Sequence, residues 1–419
     1  MNTFRLALRG LSRNRRRSLV TLLTIAFGFA AIALFAGYTH NVYDGLARQA
    51  VHGELLGHLT LSKRGMSKEG KLDPERYLLT AADIARIRDV LRDQPGIELV
   101  APRLALSGIV SNGRASTIFI AEGIEPAAME GLQAGLLALQ DIRREAFMST
   151  LKKLDPEHAD VVALSAGLAE LLHLPLQGQA ALLVNTLHGQ ANAMDITVGS
   201  TFTTGNANTN DKSALIPLAL AQSLYDIDGG ADRLTVLLDD IARTERMRER
   251  LGEALRATGL DIEIRSWQDL SDFYNQVHNM FNMIFGFIFS IVLTVVVMGT
   301  ANSMSMTVIE RTREIGTLRA IGLRRGGVLR LFAAEAMLLT LVSCAVGLLI
   351  TIAVRYGINA AAISYVPPNS TSPVPLLVDL DFARIAFTLV LMLAVGSLAA
   401  WLPARRAAHQ AIPDALGHN

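Results

Sequence analysis

Apolar residues gather in four long blocks, with a polar and partly alternating stretch between the first and the second. Residues 19–38 (LVTLLTIAFGFAAIALFAGY) carry no charge over 20 positions. At 1.5 Å per helical residue such a run reaches about 30 Å, the thickness of a bilayer's hydrocarbon core. Residues 283–302 are equally free of charge, and residues 331–354 are interrupted only by Glu335. Residues 382–402 hold Arg384 near one end, where a long side chain can snorkel. The pattern predicts an α-helical membrane protein with four transmembrane helices, at 19–43, 279–302, 331–354 and 382–402. An arginine-rich flank before an apolar run also marks a signal peptide. This run is longer than an h-region of about 7–15 residues and no small-residue cleavage site follows, so it reads as a retained anchor.

Charge then sets the orientation. Residues 1–18 carry Arg5, Arg9, Arg13, Arg15, Arg16 and Arg17 and no acid. Residues 303–330 carry six arginines against Glu310 and Glu314, and the tail 403–419 opens with Arg405 and Arg406. Residues 355–381 hold one arginine, two aspartates and four prolines. The positive-inside bias places both termini and the 303–330 loop in the cytoplasm, with 44–278 and 355–381 outside. Residues 44–278 hold all six lysines and 17 arginines against 32 acids, a net charge near −9. An acidic exterior is not built for nucleic acid or anionic lipid. With 18% charged residues and 51% hydrophobic ones, disorder and a basic nucleic-acid arm are excluded as classes. The single Cys344 forbids an internal disulfide.

The insertion of 235 residues is large enough to bury its own core and reads as a large α+β extracytoplasmic domain of two subdomains. Thr80 opens a helix over 80–92, with Asp83 at capping-box spacing, and Pro95-Gly96 ends it. Strands at 98–110 and 115–123 follow, joined by the turn 111–113. The last part repeats the grammar: strand 213–216, helix 218–225, strand 233–238, helix 243–257, strand 261–265. Two βαβ-type units around a middle segment at about 136–212 predict that the two ends pack together. The polar run 203–211 (TTGNANTND) is a loop, and helices at 39–50 and 270–282 form a stalk.

Several motifs suggest chemistry and are set aside. Residues 65–71 fit most of a phosphate-binding loop, but Leu72 stands where Ser or Thr must ligate magnesium and Asp73-Pro74 follows where a helix should start. Ser165 lies in a degenerate G-x-S-x-G pattern that lacks its first glycine, with only His173 or His188 as nearby bases. His52 and His58 are six apart, on different faces if helical, and no HExxH or CxxC occurs, so no metal site and no catalytic residue is assigned. Cys344 sits mid-span and reads as a small packing residue. No cofactor is expected in this chain.

The informative stretch is cytoplasmic. Residues 308–322 read VIERTREIGTLRAIG. As a helix they place Ile315, Leu318 and Ile321 on one side and Arg313, Thr317 and Arg324 on another. Glu310 and Glu314 stand one turn apart around Arg311 and Arg313, charge pairs worth a few tenths of a kcal/mol each. A topogenic loop needs only scattered arginines. An amphipathic helix ended by Gly322 reads instead as a docking bar fused to the second span. Glu335, about one turn inside the third span, is costly in lipid unless paired, and Arg330 or Arg319 is its expected partner. Small residues at Ala26/Ala30 and Ala33/Gly37 suit close packing of the first span.

The stretch ERTREIGTLRAIG, with Glu335 thirteen residues after it, resembles the permease signature of the MacB/FtsX/LolCE superfamily of ABC transporters. The resemblance extends to Pro403, Arg405 and Arg406, to Pro413, Ala415 and Leu416, and to residues 162–179 (VALSAGLAELLHLPLQGQ), which are similar to a segment of these permeases' exterior domains. It covers essentially the whole chain. It implies a bacterial inner-membrane permease subunit working by mechanotransmission: a separate cytoplasmic ABC ATPase, holding ATP and Mg, moves the exterior domain through a coupling element. Carried over residue by residue, that element comprises Glu310, Arg311, Arg313, Glu314, Ile315, Gly316, Leu318, Arg319 and Gly322, with Glu335 as the intramembrane charge. The implied partners are the ATPase, a second permease chain in a homo- or heterodimer, and a periplasmic adaptor or lipoprotein carrier. The implied substrate is a lipoprotein, peptide or amphiphile at the outer face. Lipoprotein-releasing permeases usually carry alanine where this chain has Gly316 and glycine where it has Glu335, which brings it nearer the macrolide-exporter branch. Two alternatives stand beside this reading: an FtsX-like regulator of a periplasmic cell-wall enzyme, and a membrane-anchored receptor without an ATPase.

Overall fold

The computed structural model describes residues 15–70, 72–139, 147–367, 370–371 and 373–409. Arg5, Arg9, Arg13, Lys71 and the Pro413–Leu416 motif lie outside these. The chain divides into two compact units: Met1–Tyr43, Val277–Ile363 and Leu376–Asn419 form one, Asp44–Gln276 and Ser364–Pro375 the other.

Four helices of the first unit are long and apolar enough to cross a membrane: α1 (Arg15–Arg48), α7 (Asp272–Glu310), α9 (Arg325–Ala360) and α10 (Phe382–His409). Each outruns its apolar block. Residues 39–48 belong to α1, and 272–282 to α7, without a break. Ile25, Phe29 and Ile32 of α1 pack with Val296, Cys344 and Met392 from the other three helices, so Cys344 is a packing residue. Ala26, Ala30, Ala33 and Gly37 are all buried. At Gly347 the missing side chain leaves room for the Ala26 carbonyl, which a Cβ would meet at 2.6 Å. Near the outer ends, Phe35 and Tyr38 of α1 meet Phe281 of α7 with ring centroids 6.1 and 5.8 Å apart.

The second unit is built on one long strand. β2 (Ile97–Ser111) pairs through residues 97–103 with β8 (Arg233–Leu238). β8 pairs with β1 (Leu59–Lys63) and β1 with β9 (Ile262–Ser266), all antiparallel. Helices α2 (Ala81–Arg92) and α6 (Thr244–Ala257) complete the lobe. The path β1-α2-β2, β8-α6-β9 with order β9-β1-β8-β2 is the split βαβ arrangement, so the two ends of the insertion do pack together. Its core holds Leu59 and Leu61, Ile84, Ile87 and Leu91, Leu234 and Val236, and Met247 and Leu251. Period-3.6 apolar spacing in the helices and period-2 spacing in the strands meet there. Thr80 and Asp83 form the reciprocal capping box that their spacing predicts.

The other half of β2 turns into a second lobe. Residues 103–111 pair with β3 (Ser116–Ile124) on one side, and residues 108–111 with β5 (Gln179–Asn185) on the other. β3 continues to β7 (Ser213–Pro217), β7 to β4 (Val161–Ser165), β4 to β6 (Ala191–Phe202), and β6 returns to β5. Six strands thus close a ring, which removes their free edges. Alternate residues fill it, among them Leu104, Leu106 and Val110 of β2, Leu182 and Val184 of β5, and Ile196 and Val198 of β6. The middle segment supplies three strands of the barrel, β4, β5 and β6. The run 203–211 contains no strand, though Asn206 forms an isolated bridge with Ser370 of the short outer hairpin β10–β11 (Ser364–Tyr365, Val374–Pro375).

Candidate functional site

The predicted single bar is broken at its fourth residue, Arg311. α7 ends at Glu310, Arg311 takes a non-helical conformation (φ −106°, ψ 14°), and α8 runs over Thr312–Ala320. The end of α8 is set by Gly322, whose φ of +105° admits an L side chain only with strain. Leu323 N–H donates to the Leu318 carbonyl at 3.0 Å and Gly322 N–H to that of Arg319 at 3.1 Å, a Schellman cap.

The faces of α8 differ in kind. Thr312, Ile315 and Gly316 are buried, and Ile315 packs with Met304 and Val308 of α7, Phe332 and Ala336 of α9, and Ala400 and Ala404 of α10. Arg313 and Thr317 are exposed, Glu314, Leu318 and Arg319 are half-buried, and Glu310 is exposed at the end of α7. Ile321 was expected beside Ile315 but is 80% exposed. The helix stops before it, so its side chain leaves the packed face.

Arg311 occupies the break and holds two carboxylates. Its Nε lies 2.9 Å from Glu314 Oε2, and its Nη1 lies 3.1 Å from Glu335 Oε2. The Glu335 side chain is 3% exposed and the Arg311 side chain 15%. The partner of Glu335 is thus neither Arg330 nor Arg319. Breaking the helix at Arg311 turns its side chain toward α9, a geometry that an unbroken helix would not give. A carboxylate buried among apolar spans is tolerated only when paired. The pair therefore fixes α8 to the third span, while Ile315 fixes it to the bundle.

A second cation joint stands where the first span's helix gives way to the exterior unit. α1 passes into a π-turn over Gln49–Gly53, and Leu55 (φ +60°) and Gly57 (φ +64°) follow in left-handed conformations. A Cβ on Gly57 would lie 2.5 Å from Thr235 Cγ2. Two cations hold this connector by its carbonyls: Lys152 Nζ donates to Gly53, and Arg103 Nη1 to Leu55. Burial and the neighbouring Arg103 lower Lys152 to about 8. Arg103, 2% exposed, also donates to Glu122 Oε2 at 3.0 Å. Burial alone would raise Glu122, but the guanidinium groups of Arg233 and Arg103 hold it at about 2. These partners lie far apart in sequence and no spacing signals them.

The motifs set aside find ordinary places. Ser165 is fully buried at the end of β4. Residues 65–70 form turns. His52 and His58 are not apart: their rings meet edge to face at 6.2 Å because the π-turn folds one toward the other. His58 Nδ1 accepts the Leu238 N–H at 2.9 Å, and burial, with His52 beside it, pushes it down to about 4.

Comparison with known proteins places both units. The family described as MacB-like periplasmic core domain matches residues 18–254, and the FtsX-like permease C-terminal family matches residues 286–412. The macrolide export ATP-binding/permease protein MacB of Azoarcus sp. is 30% identical over 177 residues, 42% of this chain and 25% of that protein. An uncharacterised ABC transporter permease of Methanocaldococcus jannaschii is 25% identical over 203 residues, 48% of this chain and 49% of that protein. The chain thus spans about a quarter of the one relative's length and half of the other's in these matches. The crystal structure of the periplasmic region of MacB from Actinobacillus actinomycetemcomitans aligns with a TM-score of 0.35 at 15% identity, covering 53% of this chain and 92% of that one. With its periplasmic core matched over more than half its length and its last three spans matched as an FtsX-like permease, the chain belongs to the MacB-like family of ABC transporter permeases.

Proposed function

We propose that the protein is the permease subunit of an ABC system in which a separate cytoplasmic ATPase docks on α8 and works the exterior unit mechanically. The observation that carries this reading is the two-sided character of α8. Its inner face is locked by Ile315 and by the Arg311–Glu335 pair, while Arg313, Thr317 and the protruding Ile321 are left free at the tip. A topogenic loop requires no such anchoring. Exposed apolar tips rimmed by charge suit a groove on a partner. ATP and Mg2+ bind in that partner, and this chain conducts the resulting displacement. Both termini and α8 face the cytoplasm, as the arginine bias directs.

The cargo is a lipoprotein, peptide or amphiphile at the outer face of the inner membrane. Only 6% of the apolar window of α7 is buried, against 44% for α1 and 39% for α9. That leaves α7 for lipid, for an amphiphile leaving the outer leaflet, or for a second permease chain.

Co-purification tests the reading. Full-length protein expressed in its own cells should bring down a nucleotide-hydrolysing subunit, and Arg313→Glu or Ile321→Asp should lose it at least tenfold while leaving the permease folded. A wild-type protein that purifies without any such subunit contradicts the proposal.

A further inference from the structure

The split βαβ lobe has two outer strands, and they are treated differently. β2 runs on into the barrel, where residues 103–111 pair with β3. Among the described residues, β9 pairs with β1 on one side only. The backbone bonds Trp267 N–H to His58 C=O (3.1 Å) and Arg64 N–H to Asp261 C=O (3.0 Å) fix the phase of that pairing. Residues 261, 263, 265 and 267 direct their backbone groups to β1, so Ile262, Ile264 and Ser266 direct theirs outward. Leu260 C=O accepts the Ile262 N–H (3.1 Å), and Asp269 Oδ2 the Ser266 N–H (2.9 Å). Ile264 therefore offers both its N–H and its C=O at the open edge.

The side chains have a matching pattern. Ile262 and Ile264 pack on the lobe's core, and Glu263 and Arg265 lie on the opposite face. Among the described residues, neither is in an ion pair within 4 Å: Arg265 donates to the Asp269 carbonyl at 3.1 Å, and Arg64 is near enough to feel Glu263's charge. Along the edge runs a cleft of about 280 Å³, floored by Leu255, Leu260 and Ile262 and rimmed by Arg64, Arg248 and Arg256.

We propose that β9 is where the exterior units of two copies of this chain meet, antiparallel and centred on Ile264. This rests on the permease reading above, which brings two chains together. A two-fold axis through Ile264 sets Glu263 of each copy directly opposite Arg265 of the other, on one face and in a non-hydrogen-bonded pair. The same axis lets the two Ile264 residues exchange both backbone bonds and brings the second copy's Ile262 and Ile264 over the cleft. A strand of alternating sign opposite itself is complementary only in this register. A slip of two residues, which keeps the faces matched, sets Glu263 against Glu263 or Arg265 against Arg265. An acidic or basic segment of another protein would meet one wrong charge at this edge, which favours a second copy as the occupant.

The contact is small, well under the area of a stable free-standing interface. Membrane tethering supplies what area does not: two chains held by one bundle meet at effective concentrations on the order of mM. Such a contact forms and breaks within a working cycle.

Cysteine pairing tests the register on the full chain with its ATPase. In a Cys344→Ala background, cells co-express two differently tagged chains, one carrying Glu263→Cys and the other Arg265→Cys. Non-hydrogen-bonded neighbours lie about 4.5 Å apart at Cα, within disulfide reach. Mild oxidation, with and without ATP, should cross-link the mixed pair at least tenfold more than either variant paired with itself. Equal cross-linking in all three combinations, or none in either nucleotide state while the ATPase still co-purifies, overturns the β9 contact and leaves the permease reading standing. No cross-link together with no ATPase removes both. Reversal of both charges, Glu263→Arg with Arg265→Glu, should preserve assembly where Arg265→Glu alone lowers it, as read by exterior-label energy transfer.

Discussion

The molecule has two places where a long helix stops and force would have to turn a corner, and it secures them by different chemistry. At the break between α7 and α8, one guanidinium joins two carboxylates, Glu314 on α8 and Glu335 on α9. At the exterior connector, two cations hold backbone carbonyls, those of Gly53 and Leu55. The guanidinium ties the break between α7 and α8 to α9, and Ile315 holds α8 on the bundle. Cations on successive carbonyls fix the path of the chain itself, including two left-handed residues. The comparison teaches that the first joint links one helix to another through side chains, and the second fixes the backbone of a single connector.

The sharpest way to break this contrast is at Arg103. Arg103→Met leaves Glu122 with one guanidinium fewer and the Leu55 carbonyl unheld. Losing one partner of a buried pair should destabilise the exterior unit by about 3–5 kcal/mol. Urea unfolding followed by Trp267 fluorescence in a Trp401→Phe background measures it.

Acid should loosen the same joint. His58 is held near 4 in the folded unit against 6.5 for the free side chain, so the unfolded chain binds the extra proton between those values. The contribution of His58 to stability is therefore full above about pH 6.5 and is lost as pH drops toward 4, by about 3 kcal/mol in all. A urea midpoint that stays flat from pH 7 to 4 would show that His58 is not held neutral.

At the inner joint the expected loss is smaller, because the Arg311 side chain is already 15% exposed where that of Arg103 is 3%. Arg311→Ala should cost about 1.5–3 kcal/mol and keep the ATPase bound, while ATP-driven motion outside is lost. Glu335→Gln, which still accepts a hydrogen bond, should lose less. The smallest effect belongs to Gly322→Ala. There is open space at that position but a φ of +105°, so strain of about 1 kcal/mol should fray the end of α8, seen as faster amide exchange at residues 318–323.

What could be read from the sequence was what repeats locally. Four apolar blocks, the Thr80/Asp83 capping box and the alternation in β2 and β3 each need only a few neighbouring residues, and each has a counterpart in the structure. The inner face of α8 was legible through Ile315 for the same reason. What escaped needed contacts between distant positions. Glu335 meets Arg311 because a helix breaks, which no propensity at Arg311 announces. The barrel closes because β2 is long enough to serve two lobes, and its fifteen residues look like one strand from sequence. Arg103, Glu122 and Arg233 gather from three strands and are three ordinary charges until the sheet forms.

The central claim is that work done on α8 reaches the exterior unit through these joints. Spin labels at Asp228→Cys and Phe382→Cys, both exposed and one in each unit, report it by pulsed dipolar spectroscopy in nanodiscs with the ATPase and a Cys344→Ala background. The distance should shift by several ångströms when ATP is added to the wild-type assembly, and should not shift in Arg311→Ala although the ATPase remains bound. An unchanged distance in wild type, or the same shift in Arg311→Ala, would contradict the account.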